Sequence, residues 1–175
     1  MHKLIKRIST LSVVLGAMLL AAAQDSSSTK SADLGLITKT LKVLTMRAQL
    51  EAAQTAIDTC AASNVHVHVW MVDANGNTTL FLLGDGTRYN TVETARQKAF
   101  TSAIMGQPTA AIQKRIAENP GTRVPPDPRL IFVGGGVPIR AGSEVIAAIG
   151  VGGGTPEQDD QCAQAGVEKI QHYLK

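Results

Sequence analysis

Two kinds of hydrophobic periodicity divide the chain into helices and strands. Residues 65–73 read VHVHVWMVD, and this strict alternation of apolar and polar positions predicts a half-buried β-strand. The valines and the methionine are expected to face the core, while His66, His68 and Trp70 share the other face. Residues 36–62 carry apolar side chains at intervals of three and four, which predicts a long first helix.

The middle of the chain continues with a hairpin and two further helices. Residues 73–77, DANGN, predict a turn, and residues 78–83 predict the returning strand. Residues 91–105 predict a second helix with a narrow face of small side chains, and residues 109–117 predict a third. The stretch 119–129 contains four prolines and is expected to form a loop that serves as a lid or an assembly surface.

The last part of the chain is rich in glycine and in β-branched residues. Three short strands are predicted at 130–133, 137–140 and 145–151, with a hairpin turn between the second and the third. Thr155 and Pro156 then predict the start of a final helix to about residue 174. No Lys-Ser or Lys-Thr follows either glycine run and the spacing does not fit a dinucleotide fingerprint, so we exclude nucleotide-phosphate loops.

The order of these elements predicts the fold class. A helix, two strands, two helices, three strands and a helix indicate an α+β domain with an antiparallel sheet of about five strands. Helices are expected to cover the sheet in a three-layer α/β/α arrangement.

The first residues have the pattern of an export signal. Residues 1–23 contain a basic start, an uncharged apolar run and three alanines, the order found in a cleaved signal peptide. The apolar run is too short for a comfortable membrane span. We therefore expect a flexible mature N-terminus at 24–35, a single domain at 36–175, and a periplasmic or secreted protein with no membrane insertion after cleavage.

The net charge does not indicate nucleic-acid binding. The chain has 17 basic and 14 acidic residues, and three of the basic residues lie in the predicted signal peptide. The mature chain would thus carry 14 of each, with no net basic field to attract a polyanion.

Cys60 and Cys162 are the only two cysteines. An even number in an exported chain favours a disulfide over free thiols. Cys60 falls in the last turn of the first predicted helix and Cys162 near the start of the last one. Antiparallel packing of those helices would bring the two together, so we predict a structural disulfide.

Few residues form a chemical motif on their own. His66 and His68 have a spacing that a metal could use, but no third ligand lies near them in sequence, and packing or surface exposure explains them more simply. Arg96 and Lys98 on the second helix could hold carboxylates or could be ordinary surface charge beside Glu93. The chain has no Gly-x-Ser-x-Gly elbow, so a hydrolase has no support.

The glycine-rich stretch resembles the GlcG/HbpS-like haem-binding family, a domain also found at the C-terminus of PduO-type corrinoid adenosyltransferases. The resemblance runs from about Ala48 to the end of the chain. The predicted signal peptide and the two cysteines are similar to the exported, single-domain branch. The segments that carry the family resemblance are 134–139 (GGGVPI), 145–151, Asp160, 163–166, Val72-Asp73 with Gly76, Asp85-Gly86, 95–101 and Pro108-Thr109.

The resemblance implies an α/β/α fold, binding of haem or a related tetrapyrrole in some members, and assembly into homo-oligomers. Haem needs an apolar slot and partners for its propionates. We place both at the loop 85–89 and the following helix, with candidate cofactor-binding residues Asp85, Tyr89, Arg96, Lys98 and Thr101. Asn90 stands where exported relatives often have histidine, so the axial ligand is left open among Tyr89, His66, His68 and Met105.

Three functions follow as expectations. The first is an exported haem- or tetrapyrrole-binding protein without catalytic activity, in haem handling or redox sensing. The second is an oligomeric accessory protein that docks a sensor or a dehydrogenase. The third is an enzyme acting on haem or on a small oxidised metabolite, for which no acid–base pair is identifiable in the sequence.

Overall fold

The computed structural model describes residues 40–175. The predicted signal peptide, the predicted flexible segment 24–35 and the first four residues of the predicted first helix lie outside the described residues.

The first helix, α1, spans Met46–Ala61, and residues 40–45, which the periodicity also assigned to it, are not helical. Thr45 has an extended backbone, and its side-chain hydroxyl accepts a hydrogen bond from the backbone N–H of Ala48 at 3.3 Å. Such a cap satisfies one of the amides that the first turn of a helix leaves unpaired, which fixes the start of the helix here.

Within residues 40–175, four strands form one antiparallel sheet in the order β2-β1-β4-β3. They are β1 (His68–Asp73), β2 (Thr78–Leu82), β3 (Gly136–Ala141) and β4 (Glu144–Gly152). The β1–β2 turn is held by Asp73, whose side chain accepts hydrogen bonds from the backbone N–H groups of Asn75 and Asn77. Two hairpins therefore supply this sheet, and β1 and β4 pair in its centre.

Helices cover both faces of the sheet, as the three-layer prediction required. The helices α1 and α4 (Pro156–Lys169) pack against one face, where valine, isoleucine and methionine side chains of the strands form the larger core. The helix α2 (Val92–Met105) covers the other face, around Val72 and Ala148. The predicted α+β class and antiparallel sheet are confirmed.

The contact between α2 and the sheet is made largely by backbone. A side chain at Gly150 of β4 would place its Cβ 2.1 Å from the carbonyl oxygen of Ala95 and 2.5 Å from the amide nitrogen of Ala99. Only glycine fits in the strand at this point, and only small residues fit in the facing helix. The predicted small-residue face of α2 is thus the face that lies on the sheet.

The remaining helices match the predicted bounds closely. The helix α3 spans Thr109–Glu118, and α4 begins with a complete capping box between Thr155 and Gln158. The predicted last helix is too long by a few residues, since α4 ends at Lys169 and a 3₁₀ turn follows at Gln171–Tyr173.

The predicted strand at 130–133 does not form, so the described part of the chain has four strands where about five were expected. The amide N–H of Ile131 donates to the side chain of Thr101 at 2.8 Å, and that of Gly134 donates to the side chain of Gln113 at 2.8 Å. The apolar run therefore pairs with side chains of α2 and α3 instead of with a neighbouring strand.

The predicted disulfide between Cys60 and Cys162 is present. It joins the last turn of α1 to the first half of α4, with the two Cα atoms 5.7 Å apart. Both cysteines are buried. The predicted antiparallel packing of the first and last helices is what brings them together.

Candidate functional site

A groove of about 470 Å³ opens at one end of the domain. Three segments meet there: residues 64–66 between α1 and β1, the loop 86–88, and residues 153–155 between β4 and α4. Loops held by a rigid scaffold carry a large share of the binding residues in proteins. We therefore take this groove as the candidate site.

His66 is the side chain in this groove that is best suited to bind a metal-containing group. It is exposed, and its Nδ1 lies 2.8 Å from the backbone carbonyl oxygen of Asp85. Because a carbonyl oxygen only accepts hydrogen bonds, Nδ1 must carry the proton. This contact orients the ring and leaves the lone pair of Nε2 as the free coordinating site.

The walls of the groove near His66 are formed by glycine. Gly86 has a φ of +73°, and a Cβ there would lie 3.2 Å from Nδ1 of His66. Gly153 has a φ of +136°, and a Cβ there would lie 2.3 Å from the carbonyl oxygen of His66. Both positions therefore need glycine, and both leave a side-chain-free wall beside the imidazole.

Arg88 adds a positive charge to the same groove. Its side chain is exposed, and within residues 40–175 no carboxylate lies within ion-pair distance of it. A free guanidinium is suited to a two-pronged hydrogen bond with a carboxylate. The sequence directs attention to the loop 85–89, yet Arg88 is not among the candidate residues predicted there.

His68 is buried on the α2 side of β1, and neither of its ring nitrogens has a hydrogen-bond partner in the described structure. Burial lowers the pKa of His68 below its usual value, so the ring is neutral near pH 7. The strand predicted at 65–73 begins three residues too early, because β1 starts at His68 and His66 lies in the segment before it. Their environments differ because only His68 is covered by α2 and the preceding loop.

Lys98 lies inside the protein. Its ammonium group donates to a carboxylate oxygen of Asp159 at 2.6 Å and to the carbonyl oxygen of Val151 at 3.0 Å, and its side chain is 2% exposed. The carboxylate bound by Lys98 is therefore that of the buried residue Asp159. Its ammonium group does not reach the surface beside the loop 85–89.

The other predicted binding residues are not gathered in one place. Thr101 is buried and bonds to Ile131, whereas Arg96 forms a two-pronged ion pair with Glu93 one turn away. Tyr89 is 81% exposed at the start of a 3₁₀ turn, and Asp85 contributes its backbone carbonyl to His66. Contacts of haem with Asp85, Tyr89 and Arg96 stay predictions.

A second, larger cavity lies at the opposite end of α1. It measures about 780 Å³ and is lined mostly by apolar atoms, including those of Leu44, Ile146 and Leu174. Tyr173 also borders it, but its hydroxyl donates to the carboxylate of Glu51 at 2.9 Å. We rank this cavity second because its lining contains no imidazole or thioether.

Residues 40–175 contain no group of three or more histidine, cysteine, aspartate or glutamate side chains placed to hold a bare metal ion. Within the described residues, His66 and His68 therefore have no third metal-binding side chain beside them. In the same part of the chain no helix has the length and apolar character needed to cross a bilayer.

The fold and the groove define a small α+β domain with a candidate ligand site built from an oriented histidine, an arginine and glycine walls. The chain belongs to the HbpS-like family, because the family model described as "Haem degrading protein HbpS-like" matches residues 44–168. The family resemblance seen in the sequence is thereby confirmed.

Solved structures and a curated relative agree with this assignment. The crystal structure of HbpS is 36% identical, with a TM-score of 0.69, and the match covers 77% of this chain and 94% of that one. Protein ORFY of Klebsiella pneumoniae is 30% identical, with a TM-score of 0.68 and coverage of 77% and 97%. An uncharacterized 15.0 kDa protein in the dhaT-dhaS intergenic region of Citrobacter freundii is 30% identical over 131 residues, which are 73% of this chain and 92% of that protein.

One further structure shares the fold at lower identity. The PduOC:haem complex is 24% identical, with a TM-score of 0.68, and the match covers 74% of this chain and 96% of that one. At this identity the likeness concerns the fold.

Proposed function

We propose that this protein binds haem, or a closely related tetrapyrrole, in the groove around His66. The observation that carries the proposal is the hydrogen bond from Nδ1 of His66 to the carbonyl oxygen of Asp85, which leaves Nε2 free in an open groove of about 470 Å³. That volume falls within the usual range of small-molecule sites. Membership of the HbpS-like family supports the choice of ligand.

The groove offers two of the groups that haem binding uses, an iron ligand and a propionate partner. Neutral imidazole is a common axial ligand of haem iron, and the iron would supply redox and ligand-exchange chemistry when bound. His66 would hold the iron through Nε2, and its bond to Asp85 would keep the ring in that tautomer. Arg88 would pair with a propionate, and the glycine walls at Gly86 and Gly153 would admit a flat ring system.

This assignment replaces the site inferred from the sequence in one respect. Lys98 and Thr101 point into the interior, so we do not assign them to the ligand. Tyr89 stays a candidate contact, because it directly follows Arg88 and is exposed.

A haemin titration of the purified protein tests the proposal. We expect a Soret band typical of histidine ligation in the wild type, and a loss of affinity of more than about tenfold, near 1.4 kcal/mol, in His66→Ala. His172→Ala is the matched control, because His172 is also exposed and its Nδ1 also rests on a backbone carbonyl, that of Lys169. The control should titrate like the wild type.

A further pair of variants separates the two cavities. Arg88→Ala should weaken haemin binding in the groove around His66. Val43→Arg changes an exposed residue that lines the apolar cavity at the other end of α1, and it should leave the titration unchanged. If Val43→Arg lowers the affinity while His66→Ala does not, haem binds in the apolar cavity and our assignment fails.

We further propose that the protein is exported, acts as a homo-oligomer, and binds haem without transforming it, in haem handling or redox sensing. Export rests on the order of basic, apolar and small residues in 1–23. Intact mass of protein recovered from the periplasm or medium tests export, since a mass that retains residues 1–23 would contradict it. Light scattering across a concentration series tests assembly.

Haem degradation is the second candidate, and the description of the family favours it. A reductant and oxygen supplied to the haem-loaded protein would then produce open-chain tetrapyrrole and released iron in proportion to the protein present. A stable Soret band under those conditions supports the binding role. An accessory protein that docks a sensor or a dehydrogenase becomes the better account if the wild type does not bind haemin at micromolar concentration.

A further inference from the structure

The domain buries a complete ion pair directly behind the candidate site. Lys98 on α2 and Asp159 on α4 approach to 2.6 Å, and both side chains are 2% exposed. Removing two charges from water is costly, and the attraction between them compensates only when the geometry is good and the remaining atoms are bonded. The intact pair is therefore expected to add little net stability compared with apolar residues in its place.

Both partners also form hydrogen bonds where β4 passes into the connection to α4. The ammonium group of Lys98 also donates to the carbonyl oxygen of Val151 at 3.0 Å. The second carboxylate oxygen of Asp159 accepts the backbone N–H of Gly154 at 2.9 Å. One buried pair thus holds the end of β4 and the connection that follows it.

The space around the pair is closed by another glycine. A Cβ at Gly135 would lie 2.8 Å from Cβ of Asp159 and 2.9 Å from the ammonium nitrogen of Lys98, and its φ is +116°. The backbone there is confined as well, because the N–H of Val151 donates to the carbonyl oxygen of Gly135 at 2.9 Å. The pair consequently has little freedom to change its geometry.

The connection between β4 and α4 lies against the backbone of His66, the candidate iron ligand. Gly153 stands between Val151 and Gly154, and a Cβ on it would fall 2.3 Å from the carbonyl oxygen of His66 and 3.0 Å from Cα of Val67. A shift of the connection by less than an ångström therefore either presses on His66 or opens a gap beneath it.

We propose that Lys98 and Asp159 are positioning residues for His66: Lys98 holds one oxygen of Asp159 so that the other fixes Gly154 and, through Gly153, the backbone of His66. Neither side chain touches the ligand. The pair sets the height of the imidazole above the groove wall and preserves its contact with Asp85. This inference rests on the proposed function, in which His66 would hold the haem iron.

Two double variants test the inference, and they differ only in the acceptor for Gly154. Lys98→Met with Asp159→Asn removes both charges and keeps a side-chain oxygen that can accept the N–H of Gly154. Lys98→Met with Asp159→Leu also removes both charges and keeps a side chain of similar size, but it leaves that N–H without its acceptor. Thermal melting of both variants identifies any general loss of stability.

The expected results distinguish positioning from simple stability. The Asn variant should bind haemin within about threefold of the wild type with an unchanged Soret band, whereas the Leu variant should lose more than about tenfold and show an altered band. Added imidazole should restore the band in the Leu variant, as it should in His66→Gly, because the free ligand does not depend on the position of the His66 backbone. Equal affinities in the two double variants, or losses that follow the melting temperatures alone, would overturn the inference.

A readout without haem keeps this test separate from the proposed function. Ring ¹⁵N spectra of His66 should show a single Nδ1-protonated tautomer in the wild type and the Asn variant, and an average of both tautomers in the Leu variant. If His66→Ala binds haemin like the wild type, the axial-ligand assignment fails whatever these spectra show. If the Leu variant keeps the wild-type tautomer, the positioning inference fails whatever haemin does.

Discussion

Removal of the disulfide is predicted to cost this domain a large part of its stability. The bond joins residues 102 apart, so it closes a loop that covers most of the described domain. In the chain-entropy treatment, a loop of about 100 residues stabilises the folded state by about 4.7 kcal/mol through restriction of the unfolded chain. Domains of this size have only about 5–15 kcal/mol of stability, so the loss should be large in relative terms.

The perturbation is Cys60→Ala combined with Cys162→Ala. Alanine suits the site because both sulfurs are buried and the helices around them are already packed through alanine, as at Ala56 and Ala163. Urea unfolding should show a fall in the free energy of unfolding of roughly 4–5 kcal/mol, and the melting temperature should drop by about 15 °C. Wild type kept reduced throughout the measurement is the control for the change of side chain and should lie within about 1 kcal/mol of the double variant.

A small effect would refute this reasoning. If the double variant loses less than about 2 kcal/mol and keeps the wild-type dependence on urea, the unfolded chain is not restricted by this loop as the treatment assumes. Reduced wild type that is as stable as oxidised wild type would lead to the same conclusion.

Three further predictions concern the interior. Burial lowers the pKa of His68 from its ordinary value of 6.5, so below that pH the unfolded chain binds a proton that the folded chain does not. The wild type should therefore lose more stability than His68→Phe between about pH 7 and pH 5 in urea titrations, and parallel curves would contradict this. Gly166→Ala would place a Cβ 2.5 Å from the carbonyl oxygen of Ala52 on α1. Helix propensity alone favours alanine by about 1 kcal/mol. Because the added methyl group overpacks the contact between the helices, calorimetry should nevertheless show a net loss of about 1–3 kcal/mol in the free energy of unfolding. Lys98→Met alone leaves the charge of Asp159 buried without its partner and should cost about 3–5 kcal/mol in urea unfolding, whereas a cost below about 1 kcal/mol would mean that water reaches the carboxylate.

Most of the fold could be predicted from the sequence because its signals are local. The alternation before Asp73, the Asx turn that follows it and the capping box at Thr155 each act within a few residues and predict the structure correctly. The strand predicted at 130–133 is wrong because the amide of Ile131 bonds to Thr101 and that of the adjoining Gly134 bonds to Gln113. The acceptors are side-chain atoms of residues distant in sequence, and hydrophobic periodicity gives no information about such contacts.

The site was less predictable for the same reason. Arg96 and Lys98 lie two residues apart on α2, yet one forms a surface ion pair and the other an internal one with a residue 61 positions away. His66 precedes β1 and His68 begins it, and α2 with the loop before it covers only His68, which leaves one imidazole exposed and the other buried. The oriented tautomer of His66 depends on a carbonyl 19 residues on, and this contact is visible only in three dimensions.

The backbone contact between α2 and the sheet limits how the sequence of this domain can diverge. On the α1 and α4 side, one aliphatic residue can replace another if a neighbour changes volume in the opposite sense. Larger residues at Gly150, Ala95 and Ala99 cannot be compensated in this way, because they would collide with main-chain atoms, which are present whatever the side chain. Distant relatives of this chain should therefore be recognised by the spacing of small residues in α2 and the last strand, even where the rest of the core has been replaced.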